Sequence, residues 1–293
     1  MTDSTEQTDF AAEARAWREQ GGQRSLSGAD LGRADLTMVD LAGALLQQAN
    51  LRQARLSGAD LAHAHLDGAD LREAILDDAS LQRAQLAGAN LQGASLRETS
   101  LVQANLAGAD LRLAQLPEAM LLAANLTGAD LRGANLAQAS LKGATLTQAN
   151  LAGAVLSGAN LAGATLTKAR GLPGAYARGA NLSRCNLGGV NMAGIYLEEG
   201  FLSEGDFSRA NLAGAFLRKA KLTRANLEKA NLSGAFLVGA ALNGANLSGA
   251  VLRGAALAGA NLFEADLANA DLSGADLTGA TMPSGKLYKG TVM

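Results

Sequence analysis

Ala29-Asp30-Leu31 is followed at once by a second triplet of the same kind, Ala34-Asp35-Leu36, and the motif returns as Ala109-Asp110-Leu111 and Ala245-Asn246-Leu247. Leucine occupies every fifth position from Leu26 to Leu166, 29 times in succession. A second comb of the same period runs from Leu172 to Met282, and 19 of its 23 positions are leucine. Alanine stands two residues before nearly every tooth. A five-residue period matches neither the 3.6 of a helix nor the 2.0 of a continuous strand. The two apolar positions are separated by two, so both point to one side of a short extended step. The chain must then turn before the next step begins. Four such steps closing a square give a coil of about twenty residues, and stacked coils lie ~4.8 Å apart, the spacing of hydrogen-bonded strands. The pattern thus predicts an all-β solenoid whose interior is filled by leucine, with alanine leaving room for four leucines in one narrow section.

Composition agrees with that core. Aromatic residues make up 3% of the 293 positions, and there are 35 glycines. Leucine and alanine must therefore supply the burial that Phe, Tyr and Trp supply elsewhere, at roughly 1.5–3 kcal/mol per buried leucine against an ordering entropy of similar total size. A formal net charge of −2 offers no strong field for a polyanion or a polycation. The single cysteine, Cys185, excludes a disulfide within the chain. The start, Met1-Thr2-Asp3-Ser4-Thr5-Glu6, is polar and acidic, without the features of a secretory signal. No apolar run approaches the ~18 residues of a membrane span. The expectation is a soluble, cytoplasmic protein.

The unit Ala-Asp/Asn-Leu-x-x resembles that of the pentapeptide repeat family, and the match runs from residue 26 to about 282. The resemblance implies a right-handed quadrilateral parallel β-helix. Around 52 units make ~13 coils, a rod of roughly 60 Å at the strand spacing.

Four segments follow from the pattern. Residues 1–25 are a disordered start and a capping α-helix, with Phe10 to Gln20 helical in propensity, Asp9 as N-cap, and Phe10 and Trp17 laid over the first leucine layer. Residues 26–169 form a first repeat block, and 170–282 a second block continuous with it. Residues 283–293 are a tail that covers the far end. Between the blocks Leu166 to Leu172 is six residues, not five; the extra residue falls at Arg170-Gly171 and is expected as a corner bulge rather than a linker. Ala177 should leave its layer thin. Val39, Val190 and Ile195 enlarge the alanine site, Gly200 and Gly205 shrink it, and Thr99 and Cys185 occupy it; residues 190–207 should pack least regularly. At the fifth position Gly28 or Gly58 can adopt positive φ, whereas Arg33, Gln48 and Glu73 are expected to resist it.

Residues twenty apart should stack in columns. Asp30, Asn50, Asp70, Asn90, Asp110, Asp130 and Asn150 form one, with Arg52, Arg72, Gln92, Arg112 and Arg132 beside it. Pairs Asp70–Arg72, Asp110–Arg112 and Asp130–Arg132 then make a charged face that largely cancels itself, each pair contributing ~0–1 kcal/mol. If the extra residue adds no slip, Tyr176, Tyr196, Phe216 and Phe236 stack on one outward face, with Phe201 one corner away. Such a stripe is either an interface or a ladder that only stiffens the face.

Catalytic constellations are not evident. His63 and His65 lie two apart and should diverge, with no Cys or carboxylate set to complete a metal site. The many Gly-x-x-x-x-Gly spacings are by-products of the period and carry no phosphate signal. The expectation is a non-enzymatic protein-binding or scaffold rod. It has no cofactor, metal, small-molecule substrate, direct nucleic-acid contact or membrane span, and its partner is another protein or a second copy. The alternative comes from the resemblance: family members that confer resistance to gyrase poisons imitate B-form DNA and bind type II topoisomerase. The Asx column could serve that imitation, although the arginine ladder interrupts it and the tail offers no counterpart to the family's dimerising C-terminal helix.

Overall fold

A computed structural model describes residues 25–289. The expected capping helix with Phe10 and Trp17 lies outside the described residues. Every repeat contributes one bridge residue, and bridges join positions twenty apart in parallel: Asp30↔Asn50↔Asp70, Asp35↔Arg55↔Ile75, Asp40↔Asp60↔Ser80 and Ser25↔Leu45↔His65. These four columns define faces 1 to 4 of a square coil. The rod consists of such coils from Ser25 to the tail.

The five backbone N–H groups of each unit account for the residue preferences one by one. In the unit around Asp110, the Asp110 N–H donates to Ala89 O of the preceding coil (2.9 Å), and Leu111 N–H donates to Asp130 O of the next (2.8 Å). Leu113 N–H also reaches the next coil, at Arg132 O (2.9 Å), and Ala114 N–H closes the turn on Leu111 O (3.1 Å). The fifth, Arg112 N–H, is taken by the Asp110 side chain at 3.1 Å. The same side-chain bond recurs from Gly32 to Asp30 and from Ala137 to Asn135. Asp and Asn are favoured here because a short acceptor side chain can satisfy a backbone donor two residues on.

Leucine and alanine fill the interior: the comb leucines from Leu46 to Leu96, and the alanine two residues before each from Ala49 to Ala94, are at most 1% exposed. Thr99, on an alanine site, donates its hydroxyl to Leu76 O at 2.7 Å, and Cys185 places its thiol 2.8 Å from Leu161 O. Burial pushes that thiol up to about 12, so it stays protonated and unreactive near neutrality.

Corners correct one sequence expectation. The fifth residue has φ near +60° whether or not it is glycine: Arg33 (60°), Gln48 (57°) and Glu73 (58°) adopt it as Gly58 does (64°). Coil closure fixes the turn, so each non-glycine corner accepts a left-handed cost of roughly 1–2 kcal/mol that the ladder and the buried leucine offset.

The insertion is a bulge. Bridges before it join positions twenty apart; Val155↔Tyr176, Asn160↔Asn181 and Thr165↔Asn186 join positions twenty-one apart; from Tyr176↔Tyr196 the spacing is twenty again. Faces 2, 3 and 4 therefore continue without a slip, whereas face 1 has no bridge between Arg170 and Asn191 among the described residues. Gly171 absorbs the change at φ +79°, and a Cβ there would sit 2.2 Å from the Ala152 nitrogen, so only glycine fits. Beneath it Leu156, Leu172, Ala177 and Met192 line an apolar cavity of about 10 Å³, the thin layer expected at Ala177. At residues 190–207 the irregularity is compensated. Phe207 replaces a leucine, is fully buried, and occupies the space that a Cβ on Gly205 would need, 2.6 Å from its Cε2. At the far end the tail folds back: Thr281 pairs antiparallel with Leu287, and Tyr288 N–H donates to Ala280 O. Tyr288 packs on the core while Leu267 and Leu272 stay partly exposed.

Two measurements test this packing. Gly205→Ala should destabilise the protein by about 1–3 kcal/mol through overpacking against Phe207. In a Phe207→Leu background the same change should be close to neutral, a coupling of at least ~1 kcal/mol in a urea double-mutant cycle; additive effects would contradict the account. Ala123, exposed at φ 53°, should gain a few tenths to ~1 kcal/mol on replacement by glycine, the reverse of the usual sign, measured as a higher denaturation midpoint.

Candidate protein-binding site

Face 2 carries the aromatic stripe. The bridge residues Tyr176, Tyr196, Phe216 and Phe236 lie on consecutive coils, and their rings stack nearly parallel with centroids 5.0, 4.5 and 4.9 Å apart. The coil spacing imposes that separation, so each ring covers the faces of its neighbours and turns an edge to solvent. Tyr176 is 61% and Phe236 46% exposed; Tyr196 and Phe216, flanked on both sides, are half-buried. Beyond Phe236 the column continues through Ala256 to Asp276, and Tyr176 is preceded in it by Val155. Face 2 thus carries a stacked aromatic ladder with an apolar, partly exposed outer edge.

Phe201 does not join the stack. It is the bridge residue of face 3, round the corner, paired with Asn181 and Lys221. Lys221 Nζ lies 4.4 Å above its ring centroid, a cation–π contact. Lys221 was not singled out by sequence, although it stands twenty residues after Phe201 in the same column.

The charged face lies on face 1, in the other half of the rod. Arg72 grips Asp70 with two nitrogens (2.8 and 2.5 Å), Arg112 grips Asp110 (2.8 and 2.6 Å), and Arg132 grips Asp130 (2.9 and 2.7 Å). Arg112 also approaches Asp130 at 3.9 Å. The hydrogen bond from its arginine holds each of these carboxyls below the usual carboxylate range, and raises the arginines in turn. The charges are mutually satisfied, and each carboxylate also caps its own turn. That second role was not legible as chemistry from a column of Asp and Asn alone.

His63 sits at a corner with φ 60°, whereas His65 is a bridge residue of face 4 between Leu45 and Gln85. Among the described residues no group of three His, Cys, Asp or Glu side chains is placed to hold a metal ion, and no helix is long and apolar enough to cross a membrane.

Comparison with known proteins bears on this arrangement. Pentapeptide repeats, in eight copies, match residues 25–61, 54–93, 94–133, 134–170, 206–244 and 240–279. The unmatched interval, 171–205, holds the bulge and most of the departures from the motif. No curated protein matches. Among solved structures, HetL of the cyanobacterium Nostoc sp. strain PCC 7120, a pentapeptide repeat protein involved in heterocyst differentiation regulation, is 34% identical over 94% of this chain and 98% of its own, with a TM-score of 0.33. A pentapeptide repeat protein of the Arabidopsis thaliana thylakoid lumen is 26% identical over 33% of this chain and 66% of its own (TM-score 0.32). QnrB1, a plasmid-mediated fluoroquinolone resistance protein, is 19% identical over 66% and 83% (TM-score 0.34). The chain belongs to the pentapeptide repeat family and has its fold, a right-handed quadrilateral β-helix.

Proposed function

We propose that this protein is a non-enzymatic interaction rod, which docks another protein on the aromatic edge of face 2. The observation that carries this reading is the unbroken stack from Tyr176 to Phe236, exposed at both ends and along its outer edge. A ladder needed only for stiffness would serve equally well with asparagine, which stacks in the Asn211–Asn191 and Asn231–Asn211 bonds of face 1. Four adjoining aromatic rings instead keep apolar area in water, a pattern that marks binding surfaces. The filled interior supports a binding role over a catalytic one, because the rod offers its partner flat faces rather than a cleft.

Imitation of DNA draws less support. It needs free carboxylates at regular spacing, and Asp70, Asp110 and Asp130 are each neutralised by a chelating arginine.

The test is affinity capture from the native organism with wild type and a Tyr196→Ser, Phe216→Ser variant, read by mass spectrometry. Circular dichroism establishes that both are folded. The variant should lose specific partners that the wild type retains. Identical partner sets, with identical sedimentation, would contradict docking on the stripe.

A further inference from the structure

Charge is segregated along the rod, and the whole-chain balance of −2 conceals it: residues 170–253 contain ten Lys and Arg against five Asp and Glu. Four of those cations, Arg218, Lys219, Lys221 and Arg224, follow one another round a single coil, from the edge of face 2 across face 3. All four are exposed, and none forms an ion pair among the described residues. Cations nearby do find partners: Arg178 pairs with Glu199 at 3.3 Å and Arg184 with Glu204 at 2.9 Å.

The arc is built against apolar surface. On one side it adjoins Phe216 and Phe236 of the stripe; on the other Lys221 lies over Phe201. The next coil is smooth and uncharged beneath it. A Cβ on Gly239 would come 3.7 Å from Lys219 Cγ, and one on Gly244 3.3 Å from Arg224 Cγ, so both stems rest on glycine corners with their charged heads in solvent. Exposed Val238 adds apolar area between them.

Resting on the docking role just proposed, we infer that the partner is an acidic protein segment: its carboxylates meet the arc from Arg218 to Arg224 and an apolar side chain meets Phe216 and Phe236. The charge complementarity identifies it. A nucleic acid fits less well, since a continuous phosphate track leaving this one coil meets Glu198, Glu199 and Glu204 on the coil before it.

The experiment uses the full chain and a short fluorescein-labelled peptide in which glutamates flank one phenylalanine, followed by anisotropy. Binding should weaken as ionic strength rises. The variant Lys219→Glu, Arg224→Glu should weaken it by about tenfold or more. Both substitutions suit the fold, because Glu199 and Glu204 hold the same two corners one coil away at φ 58°. Lys142→Glu, an exposed reversal four coils off, should change little. The inference is overturned if the peptide does not bind, if Lys142→Glu is equally damaging, or if an oligothymidylate binds more tightly through the same residues. Self-association lost in the double variant would overturn it in favour of a second copy. If partners captured from the organism depend on Tyr196 and Phe216 but not on Lys219 and Arg224, docking on the stripe stands and the acidic partner does not.

Discussion

Everything in this molecule depends on the stacking of one leucine per unit on the leucine of the coil below. That contact closes the square, and the square fixes the rest. With the side chains of Leu and Ala turned inward, each bridge residue is turned outward, the chain must reverse direction at two residues, and the second of them must take positive φ. Twenty-five non-glycine corners among the described residues accept that conformation, which is strain that only a strongly favourable interior sustains. The hydrogen-bond ladder is the other half of the same constraint. Four of every five amide groups are satisfied by the backbone, and the fifth by the side chain of Asp or Asn where one is present.

Much of this was legible because a period of five has few structural solutions. The coil of twenty, the inward leucine and the thin layer at Ala177 all follow from counting residues; the continuity of faces 2 to 4 through the insertion does not, because counting leaves open whether the extra residue shifts the register. What counting does not give is what a side chain bonds to. The Asx column read as surface charge, whereas Asp110 is engaged by the Arg112 backbone and guanidinium together. Gly205 was visible as an exception, yet its complementarity to Phe207 depends on atoms meeting in the narrow interior. Arg33 and Glu73 looked unsuited to their corners because local preference was weighed without the closure that overrides it.

The surface teaches a related lesson. A net charge close to zero describes face 1, where Asp70, Asp110 and Asp130 are chelated, but not the coil bearing Arg218 to Arg224. A rigid solenoid separates such features: identical scaffolding lets one stretch of face be self-neutralised and another, coils away, hold unpaired cations beside stacked rings. The stripe and Phe201 come from different faces, so a partner that uses both must wrap a corner.

Hydrogen exchange resolved to single amides tests the central constraint most directly. In the middle coils, Leu121 N–H, bonded to Ser140 O at 2.7 Å, should exchange only with global unfolding. Arg112 N–H, held by Asp110, should be intermediate. Leu122 N–H, which follows Met120 rather than Asp or Asn and has no acceptor among the described residues, should exchange fastest of the three. Leucine amides exchanging as freely as Leu122, or Leu122 protected as well as Leu121, would contradict an architecture in which leucine stacking holds the ladder closed.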